Sequence, residues 1–130
     1  MRIYSPPSPR KEMREMEKGK RIKKEEKRLN AIFRDVEENK KKTVEGLIKR
    51  AAFMRASLED FEADLDENGF VEMFQQGEKQ EPYERKRPTA DLYNTMNTSY
   101  QKIIKQLTDL LPEGKKDSDE LLDFLGGGKS

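Results

Sequence analysis

Apolar residues recur at intervals of three and four along two stretches of the chain, and this spacing predicts two long amphipathic helices. The first helix is expected over residues 43–66, with Gly69 as a left-handed C-terminal cap. The second is expected over residues 89–111, between Pro88, which favours a helix start, and Pro112, which ends it. The residues predicted to form the core or an oligomer interface are Leu47, Ile48, Met54, Leu58, Phe61, Tyr93, Met96, Tyr100, Ile103, Leu107 and Leu110.

The segments before these helices carry weaker patterns. A short stripe of Leu29, Ile32, Phe33 and Val36 predicts a shorter helix over residues 26–38. Residues 1–25 are basic, contain three prolines and lack an apolar period, so they are expected to form a flexible leader.

The segments between and after the long helices are more polar. Residues 70–77 fit a strand, a hairpin arm or an ordered connection, and residues 77–88 are expected to form a loop. Residues 113–130 are expected to be a flexible acidic tail. The predicted class is therefore all-α: an antiparallel helical hairpin with a shorter N-terminal helix, within a helical oligomerisation core over residues 26–112.

Composition limits how large a core this chain can build. Of its 130 residues, 32% are hydrophobic and 41% are charged, whereas ordinary domains are about half apolar and a quarter charged. A single hairpin of this kind buries little apolar surface, so self-assembly into a closed oligomer is expected to complete the core.

The same composition excludes several kinds of chemistry. The chain has no Cys and no His, which removes disulfide scaffolds, zinc fingers and Cys or His nucleophiles. The terminal Gly-Gly-Gly-Lys-Ser sequence lacks the spacing of a phosphate-binding loop. An acidic run, Asp60, Glu62, Asp64 and Asp66, fits a solvated surface better than a cation site. No enzyme activity, cofactor or metal is therefore expected.

Charge is distributed unevenly along the chain. Residues 1–28 hold 11 Lys or Arg against 5 Glu, a balance of +6, although the whole chain carries only +1. A basic segment of this kind favours an anionic partner, most commonly nucleic acid. The residues predicted to contact DNA phosphates are Lys18, Lys20, Arg21, Lys23, Lys24, Lys27, Arg28, Lys40, Lys41 and Lys42. The alternative is that they form a solvated charged helix surface.

A short apolar cluster interrupts the acidic tail. Leu121, Leu122, Phe124 and Leu125 are flanked by acidic residues, a pattern typical of segments that bind a partner's groove. The alternative is that this cluster packs back on its own subunit. A membrane-spanning helix needs about 18 consecutive apolar residues. No stretch of this chain approaches that length, so no membrane contact is expected.

The block from Arg87 to Pro112 resembles the small subunit of the terminase that packages DNA in tailed bacteriophages. It has a proline at the predicted helix start, an aromatic residue, Tyr100, twelve residues later, and an apolar run that ends in Leu-Leu-Pro. The stretch from Val44 to Met54 and the Leu-Glu-Asp-Phe block at 58–61 resemble the preceding helix of some members. The resemblance covers residues 29–112.

This resemblance implies a non-catalytic, ring-forming protein in the cytoplasm of an infected bacterial host. Its implied partners are viral duplex DNA, further copies of itself and the large terminase subunit, which carries the ATPase and nuclease. Many members have an N-terminal helix-turn-helix, whereas residues 1–42 hold too few apolar residues before Leu29 for one. Non-specific or shape-dependent DNA contact is therefore expected rather than base reading.

Two alternatives stay open from the sequence. The first is a helical oligomeric scaffold that binds only protein, and the second is a small dimeric DNA-binding regulator. DNA affinity separates the scaffold from a terminase subunit, and stoichiometry separates the dimeric regulator from a ring.

Overall fold

Three helices and a two-stranded hairpin make up residues 8–115, the part of the chain that the computed structural model describes. The fold is mostly helical, as predicted, and it adds a small two-stranded β-hairpin between the second and third helices that the all-α class does not include. The elements are α1 (Pro9–Ile32), α2 (Lys41–Asn68), β1 (Val71–Phe74), β2 (Tyr83–Lys86) and α3 (Pro88–Asp109), with short 3-10 turns at Glu38–Lys40 and Glu113–Lys115.

Helix α1 occupies most of the segment that the sequence predicts to be a flexible leader. Ser8 caps it, since the Ser8 hydroxyl accepts a hydrogen bond from the Lys11 amide at 3.1 Å, and Pro9 takes the first helical position. The leader prediction was wrong for residues 9–25 because it required an apolar stripe to dock the helix. Within this segment, Lys18 and Arg21 form ion pairs with Glu59 and Asp60 of α2.

Helix α1 also ends earlier than the predicted 26–38 helix. Phe33 leaves the helical conformation, with φ −103° and ψ 23°, and its amide closes the last turn on the Leu29 carbonyl at 2.9 Å. Phe33 and Val36 are nevertheless both buried. The chain turns at this point. Phe33 and Val36 therefore reach the core from the turn rather than from a straight helix that continues through Val36.

The predicted antiparallel pairing of the two long helices is confirmed. Tyr93 near the start of α3 contacts Glu62 near the end of α2, whereas Leu107 near the end of α3 shares a buried cluster with Ile48 near the start of α2. Gly69 ends α2 as predicted, with a positive φ of 81° and its amide bonded to the Leu65 carbonyl at 2.8 Å.

The core lies where the end of α1, the start of α2 and the end of α3 meet. Its largest fully buried side chains are Phe33, Leu29, Ile48 and Leu107. Each of the three helices contributes to this cluster, so α1 is an integral part of the fold rather than an accessory to the α2–α3 pair.

The β-hairpin confirms one of the alternatives for residues 70–77 and corrects the predicted loop at 77–88. Strand β2 falls inside that loop and pairs antiparallel with β1, so that Phe74 lies opposite Tyr83 and Glu72 opposite Arg85. The Phe74 and Tyr83 rings meet edge to face at 5.9 Å, and the Arg85 guanidinium lies 3.5 Å above the Phe74 ring. These cross-strand pairs stabilise a polar sequence as a strand.

No helix within residues 8–115 is long and apolar enough to cross a bilayer. The predicted docking cluster, Leu121, Leu122, Phe124 and Leu125, lies outside the described residues.

Candidate nucleic-acid interface

Four lysines form a continuous basic strip on α1, here called the lysine face: Lys20, Lys23, Lys24 and Lys27. They are exposed and follow the spacing of a single helix face. Leu29, which is fully buried against the rest of the fold, projects from the opposite side of α1. Docking of α1 therefore points the lysine face into solvent.

The ammonium groups of the lysine face have no acidic partner. Among residues 8–115, no carboxylate oxygen lies within 4.0 Å of the Nζ atom of Lys20, Lys23, Lys24 or Lys27. Their charge is therefore available to an external anion. The rigid helix fixes their separation along an axial span of about 10.5 Å.

Arg21, which the sequence also assigns to DNA, is committed to holding α1 on α2. Its guanidinium donates to Glu17 at 2.7 Å, to Glu59 at 3.0 Å and to Asp60 at 2.7 Å, and also to the Ala56 carbonyl at 3.2 Å. The Glu17 carboxylate, together with Asp60 and Glu59, raises the pKa of Arg21 against the opposing effect of burial.

The remaining predicted DNA contacts divide in the same way. Lys18 pairs with Asp60 at 3.3 Å, Arg28 with Glu25 at 2.8 Å, and Lys40 with Glu37 at 3.8 Å. Lys41 donates to the Arg34 carbonyl at 3.1 Å. Lys42 is exposed and has no carboxylate within 4.0 Å in the described part of the chain. The lysine face and Lys42 are thus the predicted contacts that remain free for a ligand.

The acidic run on α2 contacts both neighbouring helices. Asp60 forms ion pairs with Lys18 and Arg21 of α1. Glu62 accepts a hydrogen bond from the Tyr93 hydroxyl of α3 at 2.9 Å. Within residues 8–115, no group of three or more acidic side chains is placed to hold a metal ion. The sequence analysis predicted that this acidic run is solvated, and so it missed these contacts between helices. The surplus of cations on α1 was the signal that could have indicated them.

Asp64 anchors the base of the β-hairpin to α2. Arg87 donates to the Asp64 carboxylate at 2.9 Å and to the Gly69 carbonyl at 2.8 Å, and Asn68 donates to Asp64 at 2.7 Å. The hydrogen bond from Arg87, followed by that from Asn68, lowers the pKa of Asp64 below its ordinary value. The hydrogen bond to Glu62 raises the pKa of Tyr93.

The residues predicted for the core or an oligomer interface separate into two groups. Ile48, Leu58, Ile103 and Leu107 are buried. The half-buried group comprises Leu47, Met54, Phe61, Tyr93, Met96, Tyr100 and Leu110. The first group therefore belongs to the core, and the second retains surface that a partner can cover.

Met54, Phe61 and Met96 of the half-buried group line an open groove of about 580 Å³ between α2 and α3, here called the apolar groove. Leu92, which is 58% exposed, extends this groove toward the start of α3. Sequence analysis missed Leu92, although it precedes Met96 by one helical turn, which was the signal that could have found it.

Comparisons with protein-family models, curated proteins and solved structures return no match to this chain.

Proposed function

We propose that this protein is a non-catalytic small terminase subunit that binds viral duplex DNA and recruits or regulates the large terminase ATPase and nuclease to start genome packaging. The observation that carries the proposal is the lysine face: four exposed, unpaired ammonium groups on one side of a docked helix. The resemblance of residues 87–112 to small terminases supplies the biological setting, the cytoplasm of an infected bacterial host.

The arrangement favours contact with the DNA backbone over base reading. Lysine ammonium groups act as point charges toward phosphates, and phosphate contacts position a protein on DNA without reading its sequence. No aromatic side chain interrupts the run from Lys20 to Lys27, so base stacking has no support there. Binding of this type is non-specific and weakens steeply with salt.

Self-assembly is the second part of the proposal. The apolar groove is lined mainly by uncharged side chains, and its neighbour Asp91 is already paired with Lys86 at 2.9 Å. Such a surface suits an apolar face of a second copy better than a charged ligand. A ring repeats the lysine face once for each copy, so weak phosphate contacts add up along one DNA segment.

The test compares two variants that remove the same amount of charge. In the first, Lys20, Lys23, Lys24 and Lys27 are all replaced by Gln. In the control, Lys49, Arg50, Lys79 and Lys102, which are also exposed, are replaced by Gln. Affinity for a short linear duplex is measured over a series of salt concentrations.

The lysine-face variant is expected to bind much more weakly, with a log–log salt slope shallower by up to about 3–4, whereas the control keeps most of the original slope. Equal losses in the two variants would contradict a defined DNA surface and leave only non-specific attraction to net charge. A parent chain without DNA affinity, but with self-association, would favour the protein-only scaffold, to which the apolar groove is equally suited.

A further inference from the structure

A second groove lies on the side of the fold that the apolar groove does not use. It consists of two depressions that meet at Arg55 of α2. One, of about 480 Å³, runs along α3 past Tyr100, Ile104 and Thr108, and the other, of about 630 Å³, runs along α1 past Ala31. We refer to the two together as the Arg55 groove.

The Arg55 groove combines apolar surface with a positive charge balance. Ile104, Ala31 and Ala56 provide uncharged surface within it. Its lining contains six cationic and three acidic side chains, a balance of +3. The cationic residues are Arg21, Lys24, Lys27, Arg28, Arg55 and Lys105, and the acidic residues are Glu25, Glu59 and Asp109. A complementary ligand would therefore carry both apolar side chains and carboxylates.

One polar atom in the wall of this groove lacks a partner. The Tyr100 hydroxyl is buried, yet no hydrogen-bond partner exists for it among the described residues. Burial lowers the pKa of Arg55, whereas the nearby Tyr100 raises that pKa above its ordinary value, but no hydrogen bond of normal geometry joins the two side chains. A buried hydroxyl without a partner is costly, so a shift of the Tyr100 side chain that let it donate to an acceptor of a ligand in the groove would favour binding.

We propose that residues 119–125 of the same chain bind in the Arg55 groove. Leu121, Leu122, Phe124 and Leu125 supply the apolar side chains, and Asp119, Glu120 and Asp123 supply three carboxylates opposite the basic lining. A carboxylate or a backbone carbonyl of this segment would accept the hydrogen bond of the Tyr100 hydroxyl. Lys20 and Lys23 lie outside the groove lining, so the bound segment leaves part of the lysine face open.

The length of the connection fits this site. The described chain ends at Lys115, shortly after α3, and the groove begins beside Thr108 and Asp109. The six residue steps from Lys115 to Leu121 span up to about 20 Å when extended, which is sufficient to enter the groove at this end.

The apolar groove on the other side is a poorer site for the same segment. Met96 lies thirteen residues back along α3 from Asp109, a further distance of about 20 Å along the helix. Among the described residues, the lining of that groove also offers an acidic ligand no cation, and Asp91 within it is itself an acid that is paired with Lys86. Distance and charge therefore both favour the Arg55 groove.

Paired spin labels on the full chain test the proposal, and the absence of native cysteine makes their attachment specific. One double variant carries Gln101→Cys, at the edge of the Arg55 groove, with Gly126→Cys after the proposed segment. The matched control carries Thr95→Cys, in the apolar groove, with the same Gly126→Cys. The measured quantity is the distribution of distances between the two labels.

The Gln101–Gly126 pair is expected to give a short, narrow distribution, and the Thr95–Gly126 pair a longer one. Adding Leu122→Ser with Phe124→Ser, or Asp119→Lys with Glu120→Lys and Asp123→Lys, should broaden the short distribution without unfolding the helices. Broad distributions in both pairs, or a short one only from Thr95, would overturn the proposal.

Dilution of the labelled chain with excess unlabelled chain distinguishes binding of the segment within its own chain from binding to a second copy. The short distance is expected to persist, and its loss on dilution would also overturn the proposal. These distances are measured without DNA, so the outcome is independent of whether the lysine face binds DNA.

Discussion

The two ends of the three-helix unit are built from different interactions. At the core end, where α1 turns into α2 and α3 finishes, Leu29, Phe33, Ile48 and Leu107 are almost completely buried. At the hairpin end, where α2 finishes and α3 begins, Arg21 and Arg87 join the elements through ion pairs. The exposed Leu92 lies at this second end.

This difference places most of the stabilising burial at the core end. Burial of apolar side chains contributes about 1.5–3 kcal/mol for each large residue, whereas partly exposed ion pairs contribute about 0–1 kcal/mol each. The core end therefore stabilises the fold as a whole. The hairpin end buries Leu58, Leu65 and Ala90 as well, but it adds ion pairs of low energetic gain and leaves other apolar and basic side chains accessible.

The largest expected effect is at the core end. Leu107→Ala removes a fully buried side chain and leaves a cavity, so the free energy of unfolding should fall by about 2–5 kcal/mol. The matched control, Leu92→Ala, truncates the same side chain where it is 58% exposed, and should change stability by about 0.5 kcal/mol or less. Urea unfolding measures both. Similar losses in the two variants would contradict the contrast between the ends.

A smaller effect is expected where ion pairs hold α1. Arg21→Ala removes the contacts to Glu59 and Asp60, with an expected loss of about 1 kcal/mol. Amide exchange should accelerate in the first half of α1 and stay unchanged around Leu29. Lys49→Ala serves as the control, since Lys49 is exposed on the same bundle. Uniform acceleration throughout α1 would show that the helix docks as a single unit and would contradict this prediction.

The anchor of the β-hairpin is expected to depend on pH. Because Arg87 lowers the folded-state pKa of Asp64 below the ordinary value of 3.8, the Asp64 carboxylate contributes stability above that pH. The contribution is lost as pH falls from 3.8 through the lower folded-state pKa.

Asp64→Asn should therefore be less stable than the parent chain near neutral pH, with a difference that shrinks in acid. Chemical unfolding at a series of pH values measures this difference. Asp66→Asn, a neighbouring substitution of the same kind at an exposed site, is the control. A difference between Asp64→Asn and the parent that stays constant into acid would show that the Asp64 charge is not the stabilising feature.

The smallest effect on overall stability is expected within the β-hairpin. Phe74→Ala removes the contacts with the Tyr83 ring and the Arg85 guanidinium. Because the strands pack mainly on each other, the free energy of global unfolding should change by less than about 0.5 kcal/mol. Cross-strand amide protection should nevertheless be lost, whereas Met73→Ala, on the opposite face of β1, should preserve it. Loss of helix stability in Phe74→Ala would contradict this local role.

The sequence predicted the core end well because that end follows hydrophobic periodicity. Ile48, Ile103 and Leu107 were expected in the core or an oligomer interface from spacing alone, and they are buried in the cluster at this end. Gly69 was likewise predictable as the end of α2, because its local sequence favours a left-handed cap.

The hairpin end was harder to predict because it depends on contacts between distant polar residues. Glu59 and Asp60 attract Arg21 from 38 and 39 residues away, which no local pattern reveals. For the same reason, the sequence showed that the start of the chain is basic but not which cations remain free. Only the docking of α1 on α2 shows that Arg21 is paired, whereas the lysine face stays free.

The most direct test of the central claim is native mass in solution, with and without linear duplex DNA, at low and moderate salt. The resemblance to small terminases implies a closed species of about eight to ten copies, and the proposed function predicts DNA binding that weakens as salt rises. A monomer or dimer that ignores DNA at both salt concentrations would contradict the proposed packaging role.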